Sequence, residues 1–195
     1  MRSCNFLVWS VLSAGLSLLA SASTARAADT FTVDPVHSSM LFRVKHLNAG
    51  HIYGRFNQYS GSFAFDDKNP ADCKLEMEVK IDSIDSANGD RDKHLKGPDF
   101  FNAKEFPTMT FKATRMKASD EKNYEVTGDL TIHGVTKPVT VKLERIGTVR
   151  DLKSGKPRTG WETTFTINRS DFGMKGLVPA ISDEVRIIVA IEGIQ

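Results

Sequence analysis

The sequence predicts an all-β protein, namely an eight-stranded antiparallel β-barrel with a short helix or loop insertion near residues 88–104. Apolar and polar residues alternate along almost the whole chain, which is the period of a strand with one buried face. Most connections between the alternating stretches are short, which favours antiparallel neighbours. Eight such strands need an interior where their apolar faces pack together and an exterior where their polar faces meet water. A closed barrel provides both and removes the edges of the sheet, although a two-sheet sandwich would also satisfy the pattern.

The first 27 residues have the features of a signal peptide. A basic start at Arg2 precedes an apolar run over residues 6–20, which is too short for a comfortable membrane span. The run is followed by Ala25-Arg26-Ala27, which fits the small-x-small cleavage rule. We therefore expect residues 1–27 to be removed and residues 28–195 to form one periplasmic domain. An uncleaved anchor is the alternative.

The charge and cysteine content of the expected mature chain narrow the class of partner. Removing Arg2 and Arg26 leaves 24 basic residues against 24 acidic ones, and nucleic-acid-binding domains usually carry a basic surplus. Cys73 is the one cysteine left, so no internal disulfide and no cysteine-rich metal site is expected. The composition favours an uncharged or amphiphilic partner over a nucleic acid.

The eight strands follow from the alternation and from the turn residues between them. The clearest is KLEMEVKID, in which Leu75, Met77, Val79 and Ile81 alternate with charged residues. The predicted strands lie near residues 37–47, 52–66, 73–82, 107–117, 122–133, 138–149, 159–168 and 184–194.

Two connections are long, over residues 83–106 and 169–183. In the first, residues 88–90 can cap a helix and Gly97-Pro98 can end it, so a short helix is expected near residues 90–96.

The inward-facing positions are rich in phenylalanine and methionine. An eight-stranded barrel is either just filled by its side chains or holds one small ligand, and the pattern alone fits both cases. Phe100 and Phe101 lie in the first long connection and cannot share one face of a strand, because successive side chains there point to opposite sides. We expect a turn or short helix that brings at least one of these rings over the barrel interior.

No local motif indicates catalysis. The histidines at positions 37, 46, 51, 94 and 133 are scattered, and there is no metal-binding His pair, nucleophile elbow or phosphate loop. We therefore expect no metal, no cofactor and no enzyme activity. His46 and Arg169 are the candidates for polar groups inside the barrel, and an enzyme acting on a lipid-like substrate would need such groups.

Several short stretches occur in one order along nearly the whole mature chain. They are Asp34-Pro35-Val36-His37-Ser38, Gly54-Arg55-Phe56, Asp92-Lys93-His94-Leu95, Asp99-Phe100-Phe101-Asn102, Gly128 to Lys137 and Arg169-Ser170-Asp171-Phe172-Gly173. Together they resemble the YceI-like family of exported lipocalin-like proteins. The resemblance implies a barrel with a long apolar cavity that binds a polyisoprenoid or similar long-chain amphiphile in the periplasm without catalysis.

With that resemblance, a tunnel becomes the favoured interpretation of the apolar interior. The residues expected to contact the ligand are Met40, Phe42, Val44, Phe63, Phe65, Met77, Val79, Phe100, Phe101, Met109, Phe111 and Phe165. The expected partner is the lipid alone, with no nucleic acid and no stable membrane span, and a homodimer is compatible with the sequence. A ligand-free, stress-related structural protein with a filled barrel is the remaining alternative.

Overall fold

The computed structural model describes residues 29–66 and 73–195, which form one continuous antiparallel sheet of eleven strand segments and one short helix. The expected signal peptide, residues 1–27, lies outside the described residues. The strand segments are β1 (Asp29–Val33), β2 (Ser39–His46), β3 (Gly50–Phe56), β4 (Tyr59–Phe65), β5 (Lys74–Lys80), β6 (Ile84–Asp85), β7 (Thr108–Ala118), β8 (Asn123–Ile132), β9 (Val135–Arg150), β10 (Pro157–Asn168) and β11 (Ile181–Ile194). The helix is α1 (Gly89–Leu95), and two 3₁₀ turns span Ile81–Ser83 and Arg169–Phe172.

The eleven segments make an eight-stranded barrel because three of its strands are interrupted. β1 and β2 lie end to end along one edge of β11, with Val33 opposite Gly193 and Ser39 opposite Ala190. β3 and β4 form the next strand, pairing with β2 and β1, and β5 and β6 form the third. From there each strand pairs with the next along the chain up to β11, which closes the ring on β1. The predicted eight-stranded antiparallel barrel is therefore confirmed.

The first interruption has a local cause in Asp34 and Pro35. Proline cannot donate a ladder hydrogen bond, and the Asp34 carboxylate accepts the backbone N–H of Val36 at 3.0 Å. The chain turns a corner here and resumes pairing with β11 at Ser39. The predicted first strand began at residue 37, so the sequence pattern missed β1, which contributes the buried side chains of Phe31 and Val33.

Because neighbouring strands are antiparallel, the connections alternate between the two ends of the barrel. We call one end the open end; it carries the turn at residues 47–49, the α1 connection at 86–107, the turn at 133–134 and the loop at 169–180. The opposite end, called the closed end, carries the turns at 119–122 and 151–156.

Helix α1 lies at the open end, where the sequence predicted it. The side chain of Asn88 caps it by accepting the backbone N–H of Arg91 at 2.9 Å.

The interior toward the closed end is solidly packed. Phe63, Tyr124, Val126 and Trp161 are at most 2% exposed, and the ring of Phe65 stacks on Trp161 with centroids 4.0 Å apart. Toward the open end the apolar side chains of two smaller clusters surround open space instead.

Candidate functional site

A cavity of about 460 Å³ opens at the open end of the barrel. Its volume falls within the range of small-molecule binding sites, and its wall is mainly apolar. Eight of the fourteen residues named from the sequence line it: Met40, Phe42, Val44, His46, Phe100, Phe101, Met109 and Arg169.

A second cavity of about 110 Å³ lies deeper in the barrel. It is lined by six residues named from the sequence, two of which also line the first cavity: Met40, Met77, Val79, Met109, Phe111 and Phe165. The side chains common to both cavities are those of Met40, Met109, Ile132 and Ile187. These four residues form the constriction between the two spaces.

Strand β11 shows that the two cavities follow one another along the barrel. Its residues Ile181, Val185 and Ile187 line the first cavity, and Ile187, Val189 and Ile191 line the second. Ten residues of strand span about 33 Å at about 3.3 Å per residue. With the tilt of about 40° usual in barrels, this length corresponds to about 25 Å along the barrel axis. We call this pair of successive apolar cavities, divided by the four residues of the constriction, the tunnel. It ends at the packed side chains near the closed end.

Phe63 and Phe65 were expected at the cavity, and the structure places them elsewhere. Both side chains point inward, as their alternation predicted, but they lie where Tyr124 and Trp161 already fill the interior. Phe63 is 1% exposed, and neither residue lines either cavity. They belong to the packed core.

Two glycines keep large rings flat against the barrel wall. Gly54 lies opposite Phe42 in the β2–β3 ladder, and a Cβ atom at Gly54 would collide with the Phe42 ring. A Cβ at Gly128 would collide with the ring of Phe111 in the same way. Because the glycines leave room for the rings at the wall, the space inside the barrel stays open.

The two phenylalanines of the long connection both face the cavity. Residues 98–101 form a turn, and the backbone N–H of Phe101 donates to the carbonyl of Leu95 at 3.0 Å. Phe100 is buried and lies edge-on to the ring of His94 at a centroid distance of 5.0 Å. Phe101 is half-buried and makes an edge contact with Phe56 at 5.8 Å. The connection thus supplies part of the cavity wall at the open end, in the turn conformation expected from the sequence.

Arg169 fastens the other long loop to the barrel. It is 4% exposed, and its guanidinium donates to the carbonyl oxygens of Ser182 at 3.0 Å, Met174 at 2.9 Å and Ile181 at 3.1 Å. Burial lowers the pKa of this guanidinium, while the nearby carboxylate of Asp183 opposes that shift. The side chain therefore borders the cavity with most of its donors already used by the backbone.

Polar groups at the mouth are also held by the protein itself. The Arg91 Nε donates to the Ser86 hydroxyl at 2.7 Å, and the Ser86 backbone N–H donates to the Asp92 carboxylate at 2.8 Å. His94 Nε2 lies 3.1 Å from the Asp99 carboxylate. Of these residues, Ser86, Arg91 and His94 line the cavity, and with His46 and Asp90 they form the polar border of an otherwise apolar opening.

A cluster of Asp34, His37 and Glu192 brings potential metal-ligating atoms together outside the cavity. The guanidinium of Arg158 contacts both carboxylates, at 2.6 Å from Asp34 Oδ2 and 2.5 Å from Glu192 Oε1. The hydrogen bonds from His37 and then Arg158 hold the pKa of the Asp34 carboxyl well below its ordinary value. This cluster is an ion-pair network that fixes the corner between β1 and β2.

Sequence reasoning missed part of the cavity wall. Residues that line the first cavity without having been named are Leu41, Ile52, Phe56, Ser86, Asp90, Arg91, His94, Leu95, Ile132, Ile167, Met174, Leu177, Ile181, Val185 and Ile187. The alternation in β11 was the available signal for Val185 and Ile187. Met174 and Leu177 lie in an irregular loop, where no periodicity marks an inward side chain.

Helix α1 has seven residues, and within residues 29–66 and 73–195 there is no helix with the length and apolar character needed to cross a membrane.

Comparison with known proteins places the chain in a family. Residues 31–193 match the YceI-like domain. A UPF0312 protein of Pseudomonas aeruginosa is 41% identical over 181 residues, which cover 92% of this chain and 93% of that protein. BcnA of Burkholderia cenocepacia superposes with a TM-score of 0.74 at 25% identity, covering 82% of this chain and 98% of BcnA.

A more distant structure shares the fold. A domain from Saccharophagus degradans, described as a polyisoprenoid-binding domain implicated in plant cell wall breakdown, superposes with a TM-score of 0.67 at 13% identity and covers 84% of this chain and 97% of that domain. The family match, the sequence relative and the barrel with its tunnel agree, and the chain belongs to the YceI-like family.

Proposed function

We propose that this protein is a periplasmic binding protein that holds the tail of a polyisoprenoid or similar long-chain amphiphile in the barrel, without chemical conversion of the ligand. The observation that carries the proposal is the apolar tunnel formed by the two successive cavities of about 460 and 110 Å³. Two apolar cavities in succession along the barrel suit one flexible chain better than a compact ligand.

The side chains at the constriction support a flexible ligand. Met40 and Met109 have unbranched, polarizable side chains that adapt to irregular shapes. Rotation of these two side chains would join the cavities and admit a longer tail. The polyisoprenoid-binding description of the Saccharophagus degradans domain, which shares the fold, favours an isoprenoid over a linear acyl chain.

Burial of the tail supplies enough free energy for stable binding. If roughly 400 Å² of tail surface left water, the gain would be about 10 kcal/mol at about 25 cal/mol per Å². Ordering the chain and immobilising the ligand offset part of this gain. Affinity would then rise with tail length until the tunnel is full.

The polar groups at the cavity support binding rather than catalysis. Arg169 donates hydrogen bonds to three backbone carbonyls, and Arg91 donates one to the hydroxyl of Ser86. Side chains engaged in this way hold the wall together and are not poised to exchange protons with a substrate.

Native mass spectrometry of the protein purified without detergent, followed by lipid extraction and identification, tests the proposal. We expect a mass above that of the polypeptide and recovery of an intact isoprenoid or other long-chain amphiphile. The delipidated protein should also take up farnesol and longer polyprenols.

A substitution and its matched control connect uptake to the tunnel. Met77→Trp adds a large ring inside the second cavity, and Leu152→Trp adds the same ring at the fully exposed position 152 of the closed end. Polyprenol uptake should fall in the first variant only. A protein that carries no lipid and takes up none would contradict the proposal, and recovery of a chemically altered lipid would indicate an enzyme.

The periplasmic part of the proposal has its own test. The mature protein should begin near Ala28 and fractionate with the periplasmic contents, because residues 1–27 have the pattern of a cleaved signal. An intact Met1 in the cytoplasmic fraction would contradict it.

A further inference from the structure

The rim of the open end exposes three large apolar side chains. Leu47 is 62% exposed, Leu177 is 56% exposed and Val178 is 44% exposed. They come from two adjoining loops, because the backbone N–H of Leu47 donates to the carbonyl of Ala180 at 2.7 Å. Leu177 also lines the first cavity, and so does His46, the residue before Leu47. The exposed group therefore lies directly beside the mouth of the tunnel.

The backbone holds two of these side chains in an unusual conformation. Leu47 has a φ of 50° and Leu177 a φ of 57°, values in the left-handed region that bulky residues rarely adopt. Hydrogen bonds at both positions maintain it, from Leu47 N–H to Ala180 and from Ile181 N–H to the carbonyl of Leu177 at 2.8 Å. Such a conformation persists where the surrounding structure imposes it, and it often accompanies a functional role.

The segments that carry these three side chains are basic, although the second loop as a whole, residues 169–180, also contains the exposed Asp171. Residues 45–51 and 173–180 contain Lys45 and Lys175, two histidines and no acidic residue. Both lysines are exposed. Acidic residues lie close by: Asp171 is two residues before Gly173, and Asp99, whose backbone packs against Gly176, pairs its carboxylate with His94. Exposed leucines flanked by lysines are the combination that binds the interface of anionic membranes.

We propose that this rim, formed by Leu47, Leu177 and Val178 with Lys45 and Lys175, docks the open end of the barrel on the surface of an anionic lipid membrane. The three side chains would enter the headgroup region, the lysines would contact anionic headgroups, and the mouth of the tunnel would face the bilayer. A stable protein partner would need about 800 Å² on each side. Three partly exposed side chains offer far less surface than that, whereas a membrane can accommodate a small apolar rim. The proposal adds a surface and a partner to the binding function and does not require a lipid inside the barrel.

Flotation of the delipidated mature protein with vesicles tests the docking. One set of vesicles contains phosphatidylcholine alone, and the other an equal mixture of phosphatidylcholine and phosphatidylglycerol. We expect binding to the mixed vesicles, at least tenfold weaker binding to the neutral ones, and release by high salt.

Variants locate the contact on the rim. Leu47→Asp and Leu177→Asp each introduce a charge at a left-handed position that aspartate tolerates. Leu152→Asp makes the same change at the closed end, where Leu152 is fully exposed. Each rim variant should lose at least tenfold in vesicle binding, and Leu152→Asp should stay within twofold of the unchanged protein. Circular dichroism confirms that each variant is folded.

Three results would overturn the proposal: no binding to either vesicle, equal loss in Leu152→Asp, or equal binding to neutral and anionic vesicles. Dimerisation that disappears in Leu47→Asp, without vesicle binding, would instead identify the rim as a contact between copies of the chain. Because the flotation uses protein without ligand, a negative result leaves the lipid-uptake experiment unaffected, and the two ideas fail separately.

Discussion

Replacing Phe101 by alanine distinguishes a ring that covers a ligand from a ring that holds the fold together. Phe101 lies in the long connection at the open end, is half-buried, and contacts Phe56 edge-on while lining the first cavity. Phe63 is 1% exposed and packs in the solid core. Phe63→Ala is therefore the matched control for the loss of a phenyl ring.

The structure predicts different losses in the free energy of unfolding for the two variants. A Phe→Ala change in a packed core costs about 3–5 kcal/mol, which we expect for Phe63→Ala. Phe101→Ala loses an aromatic pair worth about 0.5–1.5 kcal/mol and part of its burial, so we expect a loss of about 1–2 kcal/mol in the ligand-free protein. If the ring covers roughly 50 Å² of a bound tail, its removal weakens binding by about 1.3 kcal/mol, which is about eightfold in dissociation rate.

Two measurements on the same delipidated preparations check these values. Urea unfolding gives the free energy of unfolding, and transfer of a fluorescent polyprenol analogue from the protein to acceptor vesicles gives the dissociation rate. A loss above about 3 kcal/mol in Phe101→Ala with an unchanged dissociation rate would refute the reasoning, because the ring would then be a core residue.

Three further outcomes are expected. Met77→Trp should lower the longest polyprenol chain that binds while changing the urea midpoint little, because the ring occupies the 110 Å³ cavity; unfolding of this variant would show that the cavity cannot open to receive it. Arg169→Met should cost about 3–5 kcal/mol in urea unfolding, since three carbonyls that accept from the guanidinium lose their donor, and a cost below about 1 kcal/mol would contradict this. Asp34→Asn should make the free energy of unfolding depend less on pH in the acid range. Because folding lowers the pKa of Asp34, its carboxylate stabilises the folded protein above the unfolded pKa of about 4, and this stabilisation is lost as the pH falls toward the lower folded pKa. Urea unfolding at a series of pH values should show the gap between the unchanged protein and Asp34→Asn narrowing below pH of about 4, and a constant gap would contradict the assignment.

Alternation along the chain was sufficient to predict the strands and their buried faces, but it fitted a two-sheet sandwich as well as the barrel that the chain forms. It was also sufficient for the inward direction of Trp161 and Ile167, both of which are buried. The alternation did not reveal β1, since Pro35 separates five residues from the rest of their strand.

The alternation could not predict how deep inside the barrel an inward-facing side chain lies. Phe65 and Phe111 have the same inward direction, yet Phe65 stacks on Trp161 in the packed region while Phe111 lines the second cavity. What separates them is the size of the side chains across the barrel, which depends on the register of strands far apart in sequence. The pairing of β10 with β9 shifts by one residue between Gly160 and Trp161, and the alternation of the sequence does not reveal this shift.

Several residues of the family-like stretches have structural roles. His37 belongs to the ion-pair network at the β1–β2 corner, and Arg169 fastens the loop that carries Leu177. Their spacing in the sequence gave no means of separating such anchoring residues from residues that contact a ligand, because both kinds hold polar side chains at fixed places near turns.

The alternation of the connections between two ends has a practical consequence for engineering. The turn at residues 151–156 joins β9 to β10 at the closed end, and the tunnel mouth is at the other end. Its chain reversal is held locally, since the Asp151 carboxylate accepts the backbone N–H groups of Lys153 and Ser154. A reporter domain inserted after Ser154 would be attached at the closed end and would leave the loops of the open end unchanged. The same separation allows the protein to be attached to a solid support through this turn with its entrance facing the solution.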